Sequence, residues 1–522
     1  MRQAAPALLC AAALLLLPPC ASGERYRIAE VTYDISGMTR QHALELAVPV
    51  STTRVFGSVD EFDDYLADLR QRLQNERVFE TVTVTAEKTE MEDDVTLVRL
   101  NVQTTDSKHF IAVPYPKYDS NTGTTLKLKL KDANFLGTME PLSFDLSYQH
   151  ERKEDGSYDE VPGLEFSYRY PFRLWKLDAA WNNALAIRLG RTPEFDATTG
   201  ITLTLPLDSC QLVLDLMQRA ARETDYETYN DELFFTEYAR LSLPVTAAEI
   251  TRWSALTWTP FAAYEYSWDN DGIDKRNKYL RGPRLTFGHS ISGGRTDWLG
   301  NFRDGFSLEF GQSVTYNYCT QRYSPLVWTE WNCYKAGAHA GFCARLYGFA
   351  TRNGDTDIGS RLRGIIDKQY YRGGYTDEYG ERALSVEVPV AIVCNLDVPI
   401  RVLATDWNGW TATLFGEDAP LTRKLNWLGT FDFELQIAPF IDVALTKNMA
   451  TERLLSPKDG FYCCGLEVLV YPARWRSLEV RASIGVDAGR AIIQKVAPDV
   501  IDSSWRDDVS VREVYVGIGL HY

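Results

Sequence analysis

Six histidines, nine cysteines and 71 acidic residues are the raw material for chemistry in this 522-residue chain. Their spacing decides whether any chemistry is assembled. His42, His109, His150, His289, His339 and His521 lie far apart and form no spaced metal motif. No H-E-x-x-H, G-x-x-x-x-G-K or G-x-S-x-G occurs. Gly288-His289-Ser290-Ile291-Ser292-Gly293 comes near the last, but within alternating residues rather than at a strand-to-helix elbow. Asp269-Asn270-Asp271-Gly272-Ile273-Asp274 opens like a calcium loop without the glutamate at its twelfth position, so it reads as a solvated turn. Cys463-Cys464 suits neither zinc nor ordinary bridge geometry, and no C-x-x-C exists. The residues therefore predict no enzyme, no metal and no cofactor.

The elements that carry these residues begin with an export signal. Arg2, an apolar run from Ala7 to Leu17 and small residues Ala21 and Gly23 at a cleavage point predict a secretory signal over residues 1–23. Eleven apolar residues fall short of the roughly 20 that span a bilayer as a helix. Cys20 is the alternative, as a lipid acceptor, although two prolines before it make a poor lipidation site. Removal of the signal leaves Cys210, Cys319, Cys333, Cys343, Cys394, Cys463 and Cys464, an odd, scattered set unlike a disulfide framework. Cys319 and Cys333 flank one connecting segment, which leaves a pairing between them open. The net charge of −16 excludes nucleic acid as a main partner, because phosphate needs a basic face. A hydrophobic content of 45% excludes disorder, while 28 tyrosines against six methionines suit a membrane β-barrel better than a soluble enzyme.

Residues 24–106 mix helical and strand periods. Tyr26 to Asp34 reads as a strand and Thr39 to Ala47 as a short helix. Ser58, with Glu61 three residues on, forms a capping box that opens a longer helix, whose stripe is Phe62, Tyr65, Leu66, Leu69 and Leu73. Thr81–Lys88 and Val95–Gln103 alternate as two further strands, joined by an acidic turn. The sum is a small α+β domain with helices over one sheet face.

From residue 107 to 522 the helical period gives way to alternation. Leu126, Leu128 and Leu130 interleave with lysines; Leu142, Phe144, Leu146 and Tyr148 interleave with polar residues. Leu384, Val386, Val388 and Val390 share a parity, as do Leu435, Ile437, Ile441, Val443 and Leu445, and then Val514, Val516, Ile518, Leu520 and Tyr522. Period-two segments of about 10 residues are the signature of apolar-out, polar-in membrane strands. A large soluble sandwich would have to bury Lys127, Lys129, Glu434, Glu479 and Arg481 at high cost. Roughly 415 residues at about 26 per strand and connection make a 16-stranded antiparallel transmembrane β-barrel. The boundaries near 391–430 leave room for an extra hairpin.

An exported α+β unit followed by a barrel resembles the BamA/TamA superfamily of outer-membrane assembly and translocation proteins, whose soluble units are POTRA domains. Pro114-Tyr115-Pro116 to Asn121-Thr122-Gly123, followed by Asn134-Phe135-Leu136-Gly137, looks like the family's entry into the first barrel hairpin. Leu362-Arg363-Gly364-Ile365 looks like its inward loop motif, with Ile365 in place of the usual aromatic, and Tyr371-Arg372-Gly373 like the second Arg-Gly. Ala383 to Pro389, with Glu387, looks like the next strand, and Phe440-Ile441-Asp442 like the Phe-x-Asp strand. A lone POTRA-like unit departs from the several that most bacterial members carry.

In that family the loop motif folds into the lumen and its arginine meets an inner-wall carboxylate. With Leu435, Ile437 and Ile441 facing lipid, Asp442 must face inward; Glu387 and Asp487 fall on inner faces by the same count. The resemblance thus implies an Arg363–Asp442 pair, with Glu387 and Asp487 as other candidates. It also implies a seam between the strand at Thr124–Lys131 and that at Val511–Tyr522, where an incoming strand finds an edge, and a POTRA edge open to β-augmentation. Gly517 and Gly519 either weaken the terminal strand or relieve crowding in the lumen. Tyr522, final and on the lipid side, fits a terminal strand that an assembly machine reads. The implied location is the bacterial outer membrane, with the small domain in the periplasm. Three functions remain open. One is insertion of unfolded outer-membrane β-barrel clients, with periplasmic accessory subunits. The others are secretion of one dedicated exported protein, and a passive pore or structural surface protein.

Overall fold

The computed structural model describes residues 24–520 except 93, 120–122, 153–157, 191–192, 208–209, 223–232, 252–253, 269–282, 354–355, 365–371, 377–381, 386, 448–451 and 502–511. The expected export signal, the expected turn at 269–274, Ile365, Tyr371 and Tyr522 lie outside the described residues. No helix among the described residues is long and apolar enough to cross a membrane.

At the N-terminus, β1 (Arg25–Ser36), α1 (Gln41–Ala47), β2 (Val55–Phe56), α2 (Val59–Asn75), β3 (Phe79–Glu92) and β4 (Val95–Asp106) form a sheet in the order β2-β1-β4-β3. The Ser58 side chain accepts from Glu61 N at 3.2 Å, while the Glu61 carboxylate accepts from Gly57 N at 2.8 Å. Two of the orphan donors before α2 are thereby satisfied. The α2 stripe of Phe62, Tyr65, Leu69 and Leu73 is buried against Ile28, Val84, Val98 and Leu100 of the sheet.

Beyond it, twenty strand segments among the described residues close into one barrel. Two pairs of segments are halves of single strands. Leu233–Ser242 and Val245–Thr251 both pair with Ser254–Trp268, and Val390–Asp397 and Ile400–Ala404 both pair with Phe433–Thr446. Pro244 and Pro399 sit at the two breaks, where a residue without an N–H interrupts a ladder. Among the described residues the wall therefore has eighteen strands, or staves, where sixteen were expected. The allowance per strand was too generous, because turns such as Leu174–Leu177 and Leu299–Phe302 hold two residues between paired ends.

Pro114 and Pro116 also disguise the first stave (Phe110–Asp119) as a connecting segment. Closure falls between this stave and the last one (Arg512–Ile518), not between Thr124–Lys131 and the C-terminus.

Alternation sets the two faces of the wall. Leu128, Leu146 and Leu164 stand in one outward row, while Lys129, Asp145 and Glu165 stand in the adjacent inward row. Lys127 reaches Glu165 at 3.4 Å and Lys129 reaches Asp145 at 3.7 Å across the inner surface. Large apolar side chains such as Leu126, Tyr148 and Ile441 are exposed on the outside.

Three further expectations change. Arg382–Ser385 and Glu387–Val388 are not a stave; they belong to a separate four-stranded sheet with Thr356–Asp357 and Arg372–Thr376, and the wall resumes at Val390. In the 391–430 region the extra element is helical, Trp407–Phe415 and Pro420–Leu425, not a hairpin. Asp406 caps the first helix by accepting from Gly409 N at 2.9 Å. Cys319 and Cys333 form no disulfide with each other.

Candidate functional site

The chain between the staves ending at Thr351 and starting at Val390 dips back against the inner wall. Ile358 and Leu362 are fully buried there, in one cluster with Val393, Ala444 and Phe461. That anchorage presents Arg363, 4% exposed, to three carboxylates from three staves. Its Nε and Nη2 donate to the two oxygens of Asp442 at 2.9 and 2.6 Å, a bidentate fork, and its backbone N donates to the same carboxylate at 2.9 Å. Nη1 donates to Asp397 at 2.7 Å and lies 3.3 Å from Glu467. The guanidinium also sits 3.9 Å from the ring centroid of Phe440.

The surroundings complete this cluster. Asn395 donates to Asp442 at 2.7 Å and to the Arg361 carbonyl at 2.8 Å, and its own oxygen accepts from Arg345 at 2.9 Å. Arg481 reaches Glu467 at 3.2 Å. Buried charge is costly unless paired and hydrogen-bonded, and here each group meets opposite charge or an amide. The arrangement contains no nucleophile–base pair; what it can do is hold a loop in place.

Gly364 carries the anchorage one strand further. Its φ is +85°, and a Cβ there would stand 2.7 Å from Val486 N. A side chain would therefore separate the loop from the stave it rests on. Gly364 N donates to Glu513 of the last stave at 2.6 Å. The loop tip thus touches the wall from Asn395 round to Glu513.

Other expected residues have different placements. Asp487 is fully buried at the end of its stave, where it accepts from Arg490 N at 3.1 Å. Glu387 lies in the separate four-stranded sheet, its backbone in register with Arg372, and Gly373 follows Arg372 in its strand. Val514 faces outward at 53% exposed, Val516 and Ile518 continue the last stave, and Gly517 is buried. Strand geometry ends at Ile518. Gly519 takes a φ of +94°, and Leu520 then packs inward with Leu469 and Tyr471, against the outward parity expected.

Asn134, Phe135 and Gly137 form the turn between the second and third staves, and their partners lie in the small domain. Asn134 is fully buried, and its Nδ2 donates to Thr39 Oγ1 at 2.7 Å. Asp106 accepts from Met38 N and Thr39 N at 2.7 and 2.9 Å, and the Gly137 carbonyl accepts from Arg40 N at 2.8 Å. Phe135 meets the Tyr168 ring edge-on at 5.0 Å.

Across the mouth, Asn75 of α2 donates to Asp297 at 2.8 Å and accepts from Trp298 N at 3.0 Å. Arg295 pairs with Asp68. Arg77 donates to the Arg476 carbonyl at 2.5 Å and lies over the Trp298 ring. The small domain is therefore held by turns from widely separated staves, and it lies across the barrel end.

The sequence did not point to Asp397, Glu467, Asn395 or Glu513. Glu467 shares the inward parity of Cys463, Leu469 and Tyr471, which was the available signal.

No family model and no curated protein matches the sequence. Among solved structures, the chain is similar to BamA from Haemophilus ducreyi lacking POTRA domains 1–3, at 11% identity and a TM-score of 0.39, over 94% of this chain and 84% of that one. It is also similar to CdiB from Acinetobacter baumannii, at 12% identity and 0.45, over 95% and 74%. CdiB from Escherichia coli gives 8% and 0.38, over 97% and 92%. With likeness this low, what the chain does has to be argued from its own geometry.

Proposed function

We propose that this chain is an outer-membrane β-barrel that handles other exported polypeptides, with the small domain acting as a POTRA-like unit in the periplasm. The apolar outer wall and the polar inner wall suit a cylinder in lipid. Most turns at the end bearing the small domain are short, the helical connection 405–432 excepted, and the connections 352–389 and 488–511 leave the opposite end, as in barrels whose short turns face the periplasm.

The observation that carries the reading is the loop pinned by Arg363 on Asp442. It fills part of the lumen and grips the last stave through Gly364 and Glu513, next to the closure with the first stave. A passive pore has no use for a loop so anchored, nor for a domain seated across its mouth. A client-handling barrel needs its wall held firmly everywhere but at one seam, where an unfinished strand can find backbone partners that hydrocarbon does not offer. Insertion of unfolded β-barrel clients is the main reading, with accessory subunits docking on the small domain and outer-membrane lipid as the surroundings.

A second reading is secretion of one dedicated protein through the lumen. It is favoured by the charged inner surface of Lys127, Lys129, Asp145 and Glu165, on staves away from the pinned loop. Depletion of the protein followed by quantitation of the outer-membrane proteome tests both. Broad loss of barrels supports insertion, and loss of a single exported protein supports secretion. An unchanged proteome and secretome, with steady conductance of the purified protein, would overturn both.

A further inference from the structure

Backbone groups along an antiparallel strand face alternate neighbours, so one hydrogen bond fixes the direction of all the others. Ala133 N donates to the His109 carbonyl at 2.9 Å, and this pair continues the register Phe110↔Asp132 between the first and second staves. Odd-numbered residues of the first stave therefore bond the second stave, and even-numbered residues face the closure. Two contacts agree. Lys108 N donates to the Arg474 carbonyl and Trp475 Nε1 donates to the Phe110 carbonyl, each at 3.0 Å and each on the far side from the second stave.

Pro114 and Pro116 are both even. The first stave thus offers no N–H at two successive closure-facing positions, and a strand laid on that edge would leave two of its carbonyls without donors. In the last stave, Gly519 N donates to the Glu479 carbonyl at 2.8 Å, continuing the register Ile518↔Val480. Val514, Val516 and Ile518 consequently present both N–H and C=O to the closure. One edge of the seam is complete and the other is defective.

We infer that an incoming client strand is taken by the edge of the last stave, and that Pro114 and Pro116 bar the edge of the first. The inference rests on the reading that clients are handled at the seam, and it names the strand that receives them. In hydrocarbon an unmet carbonyl is costly, so the preference is strong. The two prolines also explain how the seam stays openable without loss of the remaining wall: they weaken only this one ladder.

The test uses the full chain in phospholipid vesicles, with the photoreactive residue p-benzoylphenylalanine replacing either Ala112 or Val514. Both are exposed, one on each stave flanking the closure. The probe is a biotinylated peptide with the sequence Arg512–Tyr522. Capture at position 514 should exceed capture at 112 by roughly tenfold or more. Capture mainly at 112 would overturn the edge assignment and leave the seam reading standing. Capture at neither would overturn the seam reading and the inference with it. In the Pro114→Ala/Pro116→Ala variant the missing donors return, and capture at 112 should rise toward that at 514; no change there would show that the prolines do not bar this edge.

Discussion

Gly364 N donates to the Glu513 carboxylate at 2.6 Å, so the loop anchored by Arg363 is tied to the stave at which the barrel closes. Gly364 is one residue beyond the guanidinium that three carboxylates hold. A shift of the loop is therefore coupled to the last stave through this hydrogen bond, and to the stave before it through the close backbone approach at Val486.

Arg363→Ala would leave Asp442, Asp397 and Glu467 without their shared cation. Breaking a buried pair typically costs about 3–5 kcal/mol. The barrel should unfold at lower temperature, read as the loss of the compact band of unheated protein on a denaturing gel. Conductance in planar bilayers should rise as the loop leaves the wall. Arg363→Lys should fall between, because an ammonium keeps the charge but not the bidentate fork. A wild-type melting profile for Arg363→Ala would sink the idea that this cluster anchors the loop.

Gly364→Ala probes the close approach instead of the charge. A left-handed backbone costs a non-glycine residue about 1–2 kcal/mol, and the added Cβ meets the backbone at Val486. The variant should loosen the last stave while the Arg363 cluster stays intact. Hydrogen exchange in residues 512–518 should therefore accelerate more than in 433–446, and equal rates in both segments would argue against the coupling.

Asn134→Ala removes a buried amide that serves Thr39, Asp106 and Met139 N. Loss of such a group costs about 1–3 kcal/mol, and the cost falls on the contact between domain and barrel. Limited proteolysis near residues 107–109 should speed up while barrel melting stays unchanged. The double variant Asn134→Ala/Arg77→Ala, which loosens the domain on both sides of the mouth, should also show more frequent channel openings.

Glu76 ends the α2 region, and burial, with Glu140 nearby, raises its carboxyl above the ordinary range. A raised acid binds its proton more tightly when folded, so this stabilisation is fully present below the unfolded pKa and is lost as pH rises through the folded one. Docking of the domain should accordingly tighten on acidification toward the ordinary carboxylate pKa of about 4.3. Glu76→Gln should flatten that dependence of the proteolysis rate; an unchanged slope would assign it to another group.

Much of this molecule is written locally. The Ser58–Glu61 box, the α2 stripe and the lysine–leucine alternation of 126–131 each depend on near neighbours, so each can be read from sequence. Parity is local too: once Ile441 faces out, Asp442 faces in. Yet the same reasoning failed where one residue changed the rule. Pro114 and Pro116 hid a stave, the φ of Gly519 turned Leu520 inward, and Glu387 sits in a separate small sheet rather than on the wall.

The sequence by itself determined which face each wall residue presents, because side-chain direction in a strand is set by a period of two. Only the tertiary structure decided that Asp397, Asp442 and Glu467 converge on Arg363, that Asn134 binds the small domain, and that the defective edge of the first stave meets the complete edge of the last. Those meetings depend on how many staves close the cylinder and where the intervening chain returns, and both are fixed by contacts between residues far apart in sequence.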